Sequence, residues 1–355
     1  MAVRVAVVGA GYMGSAHARV LSRIAREHPG LVELAYIVDV DRGRAGLAAA
    51  RYGGRPLERV GELPRDSVDL AIVAVPTRHH YRVAVELLER GVRGLLVEKP
   101  LAASLEEAAR LVEAVEEAGA WAAVGHVERF NPAVWALHRL AARGLIGEPL
   151  TLVARRVGPF APRAGDTDVV YDLGVHEADN ALALALEAPV VVRAYTLGRI
   201  VSGLNDYALL VLGFTWGYAS LEVNRITPFK QRLLYLTGSR GTATLDYMAQ
   251  ELRLYTELGE TRVRVEKEEP LYLEDLHALA ALQQGRSPLV DIHQGLAAML
   301  VCAAGLEAAV RGRDLALEET SAYRDHGQLL ARALEGYRRY REAVEACSGP
   351  RGCAG

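Results

Sequence analysis

Short apolar runs alternate with longer segments of helical spacing along the first 125 residues of the chain. Strands that are apolar at every position are buried on both faces, which is typical of a parallel sheet between two layers of helices. The pattern predicts strands at Val3–Val8, Val32–Val38, Val68–Val75, Gly94–Val97 and Trp121–Val124. It predicts helices near Met13–Glu27, Arg42–Tyr52, His79–Arg90 and Leu105–Ala118. This order is that of a doubly wound α/β domain, which we place at residues 1–125.

The pattern changes after Pro132, where runs of alternating apolar and polar residues follow one another with little helix between them. Glycine-containing turns such as Gly213–Gly217 join these runs, which favours a large, mainly antiparallel sheet. Helices are predicted at Ala133–Arg143, Val169–Leu186, Leu271–Gln284, Ile292–Arg311 and Ala322–Ala346. We therefore predict an α+β domain at residues 126–346 and a flexible tail at 347–355.

Composition narrows the class of protein. The 355 residues suffice for two domains, and 51% hydrophobic with 24% charged residues is ordinary for a globular chain. A net charge of -3 provides no field that attracts nucleic acid or an anionic membrane, so neither is expected as a partner. No secretory signal precedes the apolar run that follows Met1, and polar residues within Ile292–Val310 predict a buried helix rather than a membrane span.

Two residue types are scarce. The three cysteines, Cys302, Cys347 and Cys353, are odd in number and lie late in the chain, so we predict neither a disulfide framework nor a zinc site. A reducing cytoplasmic location fits this usage. The 41 basic residues include only three lysines, which means that arginine fills nearly every generic cationic position.

A glycine pattern of the form GxGxxG lies between the first strand and the first helix. It consists of Gly9, Gly11 and Gly14, with Tyr12 and Met13 inside it. Such glycines permit a tight turn, close approach of a pyrophosphate and close packing of the helix on the strand. The helix N-terminus then offers unpaired N–H groups to the phosphates. The position predicts a dinucleotide site, the alternative being a tight turn with a structural role only.

The second predicted strand ends at Asp39. A carboxylate at that position accepts hydrogen bonds from the adenosine ribose and repels a 2′-phosphate, which favours NAD over NADP. Asp41 is the alternative acidic residue and is expected to cap the next helix. Arg42 leaves NADP possible, because a cation there tolerates the extra phosphate.

Lys99 follows the fourth predicted strand, within Glu98–Lys99–Pro100. Ligands of open α/β sheets bind at the carboxyl ends of the strands, so this lysine is placed where a nicotinamide and a substrate meet. A lysine can donate and recover a proton, which a guanidinium cannot. Because generic basic positions are arginine here, we favour a catalytic role for Lys99 over a solvated strand end.

These motifs resemble the Gfo/Idh/MocA family, that of glucose-fructose oxidoreductase and inositol dehydrogenase. The resemblance rests on the glycine turn, Val75-Pro76-Thr77 with His80, the Glu98-Lys99-Pro100 triplet and Asp172-Leu173-Gly174-Val175-His176. It implies a Rossmann domain and nicotinamide-dependent oxidation or reduction at a sugar or cyclitol carbon. It also implies that Pro76, Thr77, His80 and Glu98 line the cofactor site.

Asp172, His176 and Asp179 share one stripe of a predicted helix. A histidine oriented by a carboxylate can take a hydroxyl proton near neutral pH, although a solvated face or, less readily, a metal site has the same spacing. No second ligand cluster is visible, and we predict no metal. By resemblance, Lys99, Asp172 and His176 correspond to the catalytic lysine, aspartate and histidine of the family, and Asp179 is expected to be a helix or interface residue.

Two further segments are candidates for substrate contact. His126, Arg129 and Asn131 follow the last strand of the first domain and are predicted to line a cleft, the alternative being a hinge in which Asn131 caps the next helix. Lys230 and Arg232 share one face of an extended segment and are predicted to grip a phosphate or diphosphate, the alternative being a solvated strand.

These two segments resemble the branch of the family that oxidises UDP-N-acetylglucosamine at C3. The resemblance implies a nucleotide-sugar substrate, with a free sugar or inositol as the runner-up. A protein that uses NAD for sensing only is the alternative of a different class. The predicted second-domain sheet is apolar on alternate positions and needs cover, so a homodimer or homotetramer through that sheet is expected.

Overall fold

The computed structural model describes residues 2–160, 167–201, 203–347 and 349–354. The chain forms two compact units. The first contains Met1–Val127, Glu269–Ile292 and Arg351–Gly355, and the second contains Glu128–Glu268 and His293–Pro350. The units divide close to the predicted boundary, but two later segments of the chain also belong to the first unit.

The first unit is built on a six-stranded parallel sheet of order β3-β2-β1-β4-β5-β6. Its strands are β1 Val3–Val8, β2 Val32–Val38, β3 Arg55–Leu57, β4 Leu70–Val73, β5 Gly94–Glu98 and β6 Trp121–Gly125. Its helices are α1 Tyr12–Glu27, α2 Arg42–Tyr52, α3 His80–Glu89, α4 Leu105–Glu117 and α7 Pro270–Gln283. This strand order is that of a Rossmann fold, which confirms the predicted class.

Two parts of this unit were not predicted. The edge strand β3 has three residues, of which only Leu57 is buried, so it lacks an apolar run. Helix α7 packs against α1 in the first unit, although the prediction assigned it to the second domain. Every residue from Leu271 to Ala281 is buried, so the helix has no polar face that would indicate its side of contact.

Within the described residues, the second unit contains a nine-stranded sheet of order β14-β13-β12-β11-β7-β10-β9-β8-β15. The strands are β7 Pro149–Val157, β8 Val191–Leu197, β9 Tyr207–Gly213, β10 Tyr218–Asn224, β11 Gln231–Gly238, β12 Gly241–Asp246, β13 Glu251–Thr256, β14 Gly259–Val263 and β15 Leu315–Ala316. Only β7 and β10 pair in parallel, which confirms the mainly antiparallel sheet.

Helices cover one face of this sheet. They are α5 Pro132–Ala142, α6 Val175–Ala185, α8 Ile292–Arg311 and α9 Ser321–Ala346, with α8 belonging to the second unit from its second residue onward. Helix α6 contacts β7 and β10, where alternate residues such as Leu152 and Leu221 are fully buried. The other face carries exposed Val153, Tyr218 and Tyr235.

Helix α8 is the one helix in the described part of the chain that is long and apolar enough to span a membrane, and 72% of its apolar window is buried. That burial is typical of a core helix, as predicted.

The cysteines differ from their prediction. Cys347 and Cys353 are disulfide-bonded, and Cys302 is a buried free thiol. Residues Pro350–Ala354 form a short helix, α10, where we predicted a flexible tail. The number and spacing of cysteines do not reveal whether their Cβ atoms face each other, which is what decides whether a disulfide forms. Cysteine usage therefore no longer supports a reducing location.

Candidate functional site

The glycine turn between β1 and α1 has two packed glycines and one open one. Gly9 has a φ of 97°, and a Cβ on it would lie 2.5 Å from the carbonyl oxygen of Ala74. A Cβ on Gly14 would lie 1.6 Å from the carbonyl oxygen of Gly9. A Cβ on Gly11 would meet nothing within 4 Å. Gly9 and Gly14 are therefore required by packing, whereas Gly11 leaves open space before the helix.

That space suits a pyrophosphate. Helix α1 begins after Gly11 with no side-chain cap and no acidic residue in its first turn. As in every α-helix, its first N–H groups have no acceptor within the helix. N–H groups and the positive end of a helix dipole attract phosphate oxygens. Tyr12 is 67% exposed and Met13 is half-buried within the glycine pattern, and their contact with the cofactor stays a prediction.

Asp39 ends β2 and is tied to the glycine turn. Its Oδ2 accepts a hydrogen bond of 2.7 Å from the N–H of Ala10, and its Oδ1 accepts one of 2.8 Å from the N–H of Asp41. The Arg44 guanidinium lies 3.3 Å from Oδ1. The Asp41 side chain accepts from the N–H of Arg44 and caps α2, as expected of it.

Arg44, rather than Arg42, is the cation beside Asp39. The Arg42 side chain is 86% exposed and lies 3.6 Å from Glu58. The first turn of α2 turns position 42 outward and position 44 back toward β2. The sequence contained both arginines, but only the direction of the helix distinguishes them.

The segment after β4 places Pro76 at the surface and Thr77 half-buried at the start of a short 3-10 turn. His80 is only 1% exposed, and its ring nitrogens lie 3.0 Å from the carbonyl oxygen of Pro100 and 2.9 Å from that of Val75. Burial lowers the pKa of His80. The ring therefore connects the segments that follow two strands, and its contact with the cofactor stays a prediction.

Lys99 follows β5 and is half-buried, with a cis peptide bond to Pro100. Glu98 is 6% exposed, and its Oε2 accepts a hydrogen bond of 3.1 Å from the N–H of Lys99. Its Oε1 lies 3.1 Å from Nε2 of His17 on α1. Although burial raises the pKa of Glu98, the hydrogen bond from His17 and its charge lower it overall. The sequence did not predict this contact, and a histidine within the buried stripe of α1 was its only signal.

The other two proposed catalytic residues lie on consecutive turns in the second unit. Asp172 is half-buried within a π turn, Val170–Gly174, which leads into α6. Its N–H donates to the carbonyl oxygen of Asp168 at 2.8 Å. His176 is in the first turn of α6 and is 7% exposed. The prediction of one regular helix missed the π turn, a rare feature that is frequent at functional sites.

A network of buried charged side chains connects α6 with β7. Arg156 on β7 is 2% exposed and donates to Glu177 at 2.5 Å and to Glu128 at 2.9 Å. The Tyr247 hydroxyl donates to Glu177 at 3.1 Å. Burial lowers the pKa of Arg156, but the two carboxylates raise it overall, so the guanidinium stays charged. Sequence reasoning missed this network because its members come from four distant segments.

Arg232 borders this network. It lies opposite Arg156 on the paired strand β11, is 39% exposed, and has its Nη1 3.6 Å from Glu128. The charge of Arg156 and burial lower the pKa of Arg232, while Asp172 is among the carboxylates that raise it, so the Arg232 and Asp172 charges interact. Lys230 lies just before β11 and is exposed.

The other predicted substrate residues are buried. Arg129 is 0% exposed, donates to Asp179 at 3.1 Å and lies over the ring of Tyr340 at 3.6 Å. Asn131 caps α5 through the N–H of Ala133. Both stabilise the fold of the second unit, with Asn131 capping the helix as in the alternative prediction, and substrate contact by either residue stays a prediction. Asp179 is a helix-packing residue as expected, and His126 in the first unit is 2% exposed.

A Rossmann sheet whose glycine turn fits a pyrophosphate and whose β2 ends in an aspartate is typical of an NAD-binding domain. Comparison with known proteins agrees. Residues 3–126 match the family described as "Oxidoreductase family, NAD-binding Rossmann fold", and residues 134–244 match the Gfo/Idh/MocA C-terminal domain. The chain belongs to the Gfo/Idh/MocA oxidoreductase family and is a dehydrogenase that binds NAD.

Two relatives match most of this chain in sequence. UDP-N-acetylglucosamine 3-dehydrogenase of Acidithiobacillus ferrooxidans is 30% identical over 254 residues, which cover 71% of this chain and 77% of that protein. Its solved structure superposes with a TM-score of 0.76 at 29% identity, over 87% of this chain and 97% of that one. Inositol 2-dehydrogenase of Rubrobacter xylanophilus is 28% identical over 346 residues, covering 91% of this chain and 96% of that protein.

An oxidoreductase from Agrobacterium radiobacter, solved with NAD+, L-tartaric acid and magnesium, has a TM-score of 0.79. It is 20% identical and covers 89% of this chain and 99% of that one. This likeness shows the shared fold.

Proposed function

We propose that this protein oxidises a secondary hydroxyl of a sugar, and that Lys99, Asp172 and His176 carry the reaction. The observation that carries the proposal is the position of these residues on their own elements. Lys99 ends a central strand of the NAD-binding sheet, and Asp172 and His176 begin a helix through a π turn. The motifs that contain all three resemble those of the family's catalytic lysine, aspartate and histidine, which supports the proposal.

Bound NAD supplies the hydride acceptor. In the proposed reaction His176 accepts the proton of the substrate hydroxyl as hydride leaves the same carbon. Lys99 donates a hydrogen bond to the developing alkoxide or relays the proton, and Asp172 orients the imidazole. Two electrons leave the carbon as hydride and one proton passes to the protein, so the products are a ketone and reduced cofactor.

We infer that the substrate is a nucleotide sugar, with UDP-N-acetylglucosamine as the leading candidate and its 3-hydroxyl as the oxidised group. Arg232 supports this proposal, because it is a partly exposed cation that interacts with Asp172 and is held by the buried network. A guanidinium donates strong charge-assisted hydrogen bonds to the oxygens of a diphosphate. The 30% identical relative named as UDP-N-acetylglucosamine 3-dehydrogenase also supports it. Inositol is the runner-up, because inositol dehydrogenases are among the relatives.

A substrate panel tests this proposal. NADH formation is measured with UDP-N-acetylglucosamine, free N-acetylglucosamine, glucose and myo-inositol, with NAD and with NADP. We expect turnover with the nucleotide sugar, and expect Arg232→Gln to raise its KM while Lys230→Gln, at an exposed neighbouring position, has a smaller effect. Turnover confined to unphosphorylated polyols would refute the nucleotide-sugar assignment. The absence of turnover with every sugar would contradict the proposed oxidation and favour the alternative in which the protein uses NAD for sensing only.

We further propose that the chain forms a homodimer or homotetramer through the open face of the second unit's sheet. The support is the set of exposed apolar side chains on that face, Val153, Tyr195, Tyr218 and Tyr235. Val153→Asp and Tyr235→Glu place charges there and should yield monomers in analytical ultracentrifugation. A wild-type protein that sediments as a monomer contradicts the proposal.

A further inference from the structure

A buried histidine in the first unit lies between two carboxylates from different parts of the chain. His17 on α1 is 0% exposed. Its Nδ1 lies 2.8 and 3.1 Å from the two carboxylate oxygens of Asp275 on α7, and its Nε2 lies 3.1 Å from Glu98 on β5. An ionised carboxylate only accepts hydrogen bonds, so each ring nitrogen must donate. That requirement is met by an imidazolium.

The charges around His17 agree with that state. Burial lowers the pKa of His17, but the charge and hydrogen bond of Asp275, with those of Glu98, raise it well above its ordinary value. Glu274, next to Asp275, is 2% exposed, and burial raises its pKa well above its ordinary value. Burial also raises the pKa of Asp275, although the charge and hydrogen bond of His17 act to lower it. Lys99 and His80 also act on Glu98.

The contacts continue from His17 to the proposed catalytic lysine. One oxygen of Glu98 faces His17, and the other accepts the backbone N–H of Lys99 at 3.1 Å. His17 itself lies on the helix that begins at the glycine turn, three residues after Gly14. A single ring therefore connects the pyrophosphate helix, α7 and the strand end that carries Lys99.

We propose that His17 is a positioning residue that, as an imidazolium, holds the Glu98 carboxylate ionised and thereby fixes the backbone of Lys99 relative to the cofactor helix. The inference rests on the catalytic role proposed for Lys99. Misplacement of a catalytic group by about 1 Å costs on the order of 100-fold in rate, so the effect of losing this contact belongs in kcat.

The same cluster is also a candidate metal site. Ligand atoms of His17, Glu274 and Asp275 lie within 4.8 Å of one another and are able to hold a metal ion. A metal would need a deprotonated ring nitrogen. Because both nitrogens of His17 already lie at hydrogen-bond distance from carboxylates, we favour the imidazolium.

The charge of His17 is measured on the wild-type protein, by the nitrogen-15 chemical shifts of its ring at mildly alkaline pH. Two donor-type shifts that persist after free histidine has deprotonated are expected. His28→Gln, at the exposed end of the same helix, is the matched control, and His17→Gln identifies the resonance. A neutral ring, or a stoichiometric metal ion in the purified protein, would overturn the proposal. This measurement does not depend on any substrate.

Kinetics then test the positioning role. We expect His17→Gln to lower kcat by on the order of 10- to 100-fold, with the Kd of NADH changed by less than about threefold. The acid limb of the pH profile of kcat should move to higher pH in His17→Gln, because Glu98 loses the hydrogen bond and charge that lower its pKa. His28→Gln should match the wild type in all three. An unshifted acid limb, or unchanged kcat, in a folded His17→Gln variant refutes the role. A wild type that oxidises no sugar refutes the proposed function, whereas the ring charge and the NADH affinity still report on His17.

Discussion

Gly11 and Gly14 allow the cost of folding to be separated from the cost of cofactor binding. A Cβ on Gly14 would lie 1.6 Å from the carbonyl oxygen of Gly9 and 2.8 Å from its carbonyl carbon. Both are backbone atoms of the same tight turn, so no side chain can rotate away to relieve the contact. The turn or the helix must instead move by more than about 1 Å, and we expect Gly14→Ala to lower the free energy of unfolding by more than about 3 kcal/mol.

Gly11→Ala is the matched variant. Its Cβ would meet nothing within 4 Å, and the φ of -71° at Gly11 is one that alanine adopts readily. Because alanine also restricts the unfolded chain, the free energy of unfolding should change by less than about 1 kcal/mol. The methyl group would occupy the space in front of α1, and a loss of about 1.4 to 2.8 kcal/mol there lowers NADH affinity by on the order of 10- to 100-fold.

Thermal unfolding measures the change in stability, and NADH fluorescence titration measures the change in cofactor affinity. The expected result is a Gly14→Ala variant with a strongly lowered Tm and a Gly11→Ala variant with normal Tm and weak NADH binding. A Gly14→Ala protein as stable as the wild type would show that the turn yields easily. Normal NADH affinity in Gly11→Ala would show that the cofactor does not use the space beside Gly11.

Three further predictions concern other parts of the two units. Lys99→Ala and His176→Ala should each abolish turnover but retain NADH binding in fluorescence titration, and near-normal turnover in either contradicts its catalytic role. Tyr247→Phe removes a buried donor to Glu177 and should lower the free energy of unfolding by about 1 to 3 kcal/mol, measured by thermal unfolding, with little change expected if the hydroxyl contact is unimportant. Arg44→Ala leaves the charge of Asp39 less compensated and should increase the kcat/KM preference for NAD over NADP, whereas a decreased preference would argue against that role.

Local patterns predicted most strands and helices of the first unit, but not β3 or the membership of α7. The strands at Val3–Val8 and Val32–Val38 lie where the apolar runs placed them, because most of the first strand and the last three residues of the second are buried on both faces. The glycine turn was equally local, since strand, turn and helix follow within a few residues. Local pattern did not decide the roles of Arg129 and Asn131, because a short polar segment after a strand has the same appearance whether it faces a ligand or caps a helix.

The sequence by itself determined the class of fold, the NAD-binding turn and the family, since these depend on local periodicity and on motifs within contiguous segments. Tertiary structure decided which ionisable groups meet. His17 and Asp275 are 258 positions apart, and Arg156 meets carboxylates from two other segments. The charge state of such a group depends on burial and on neighbours within a few ångströms, which hydropathy and spacing do not encode. The sequence therefore indicated Lys99, and only the folded chain showed that His17 lies between Asp275 and Glu98 behind it.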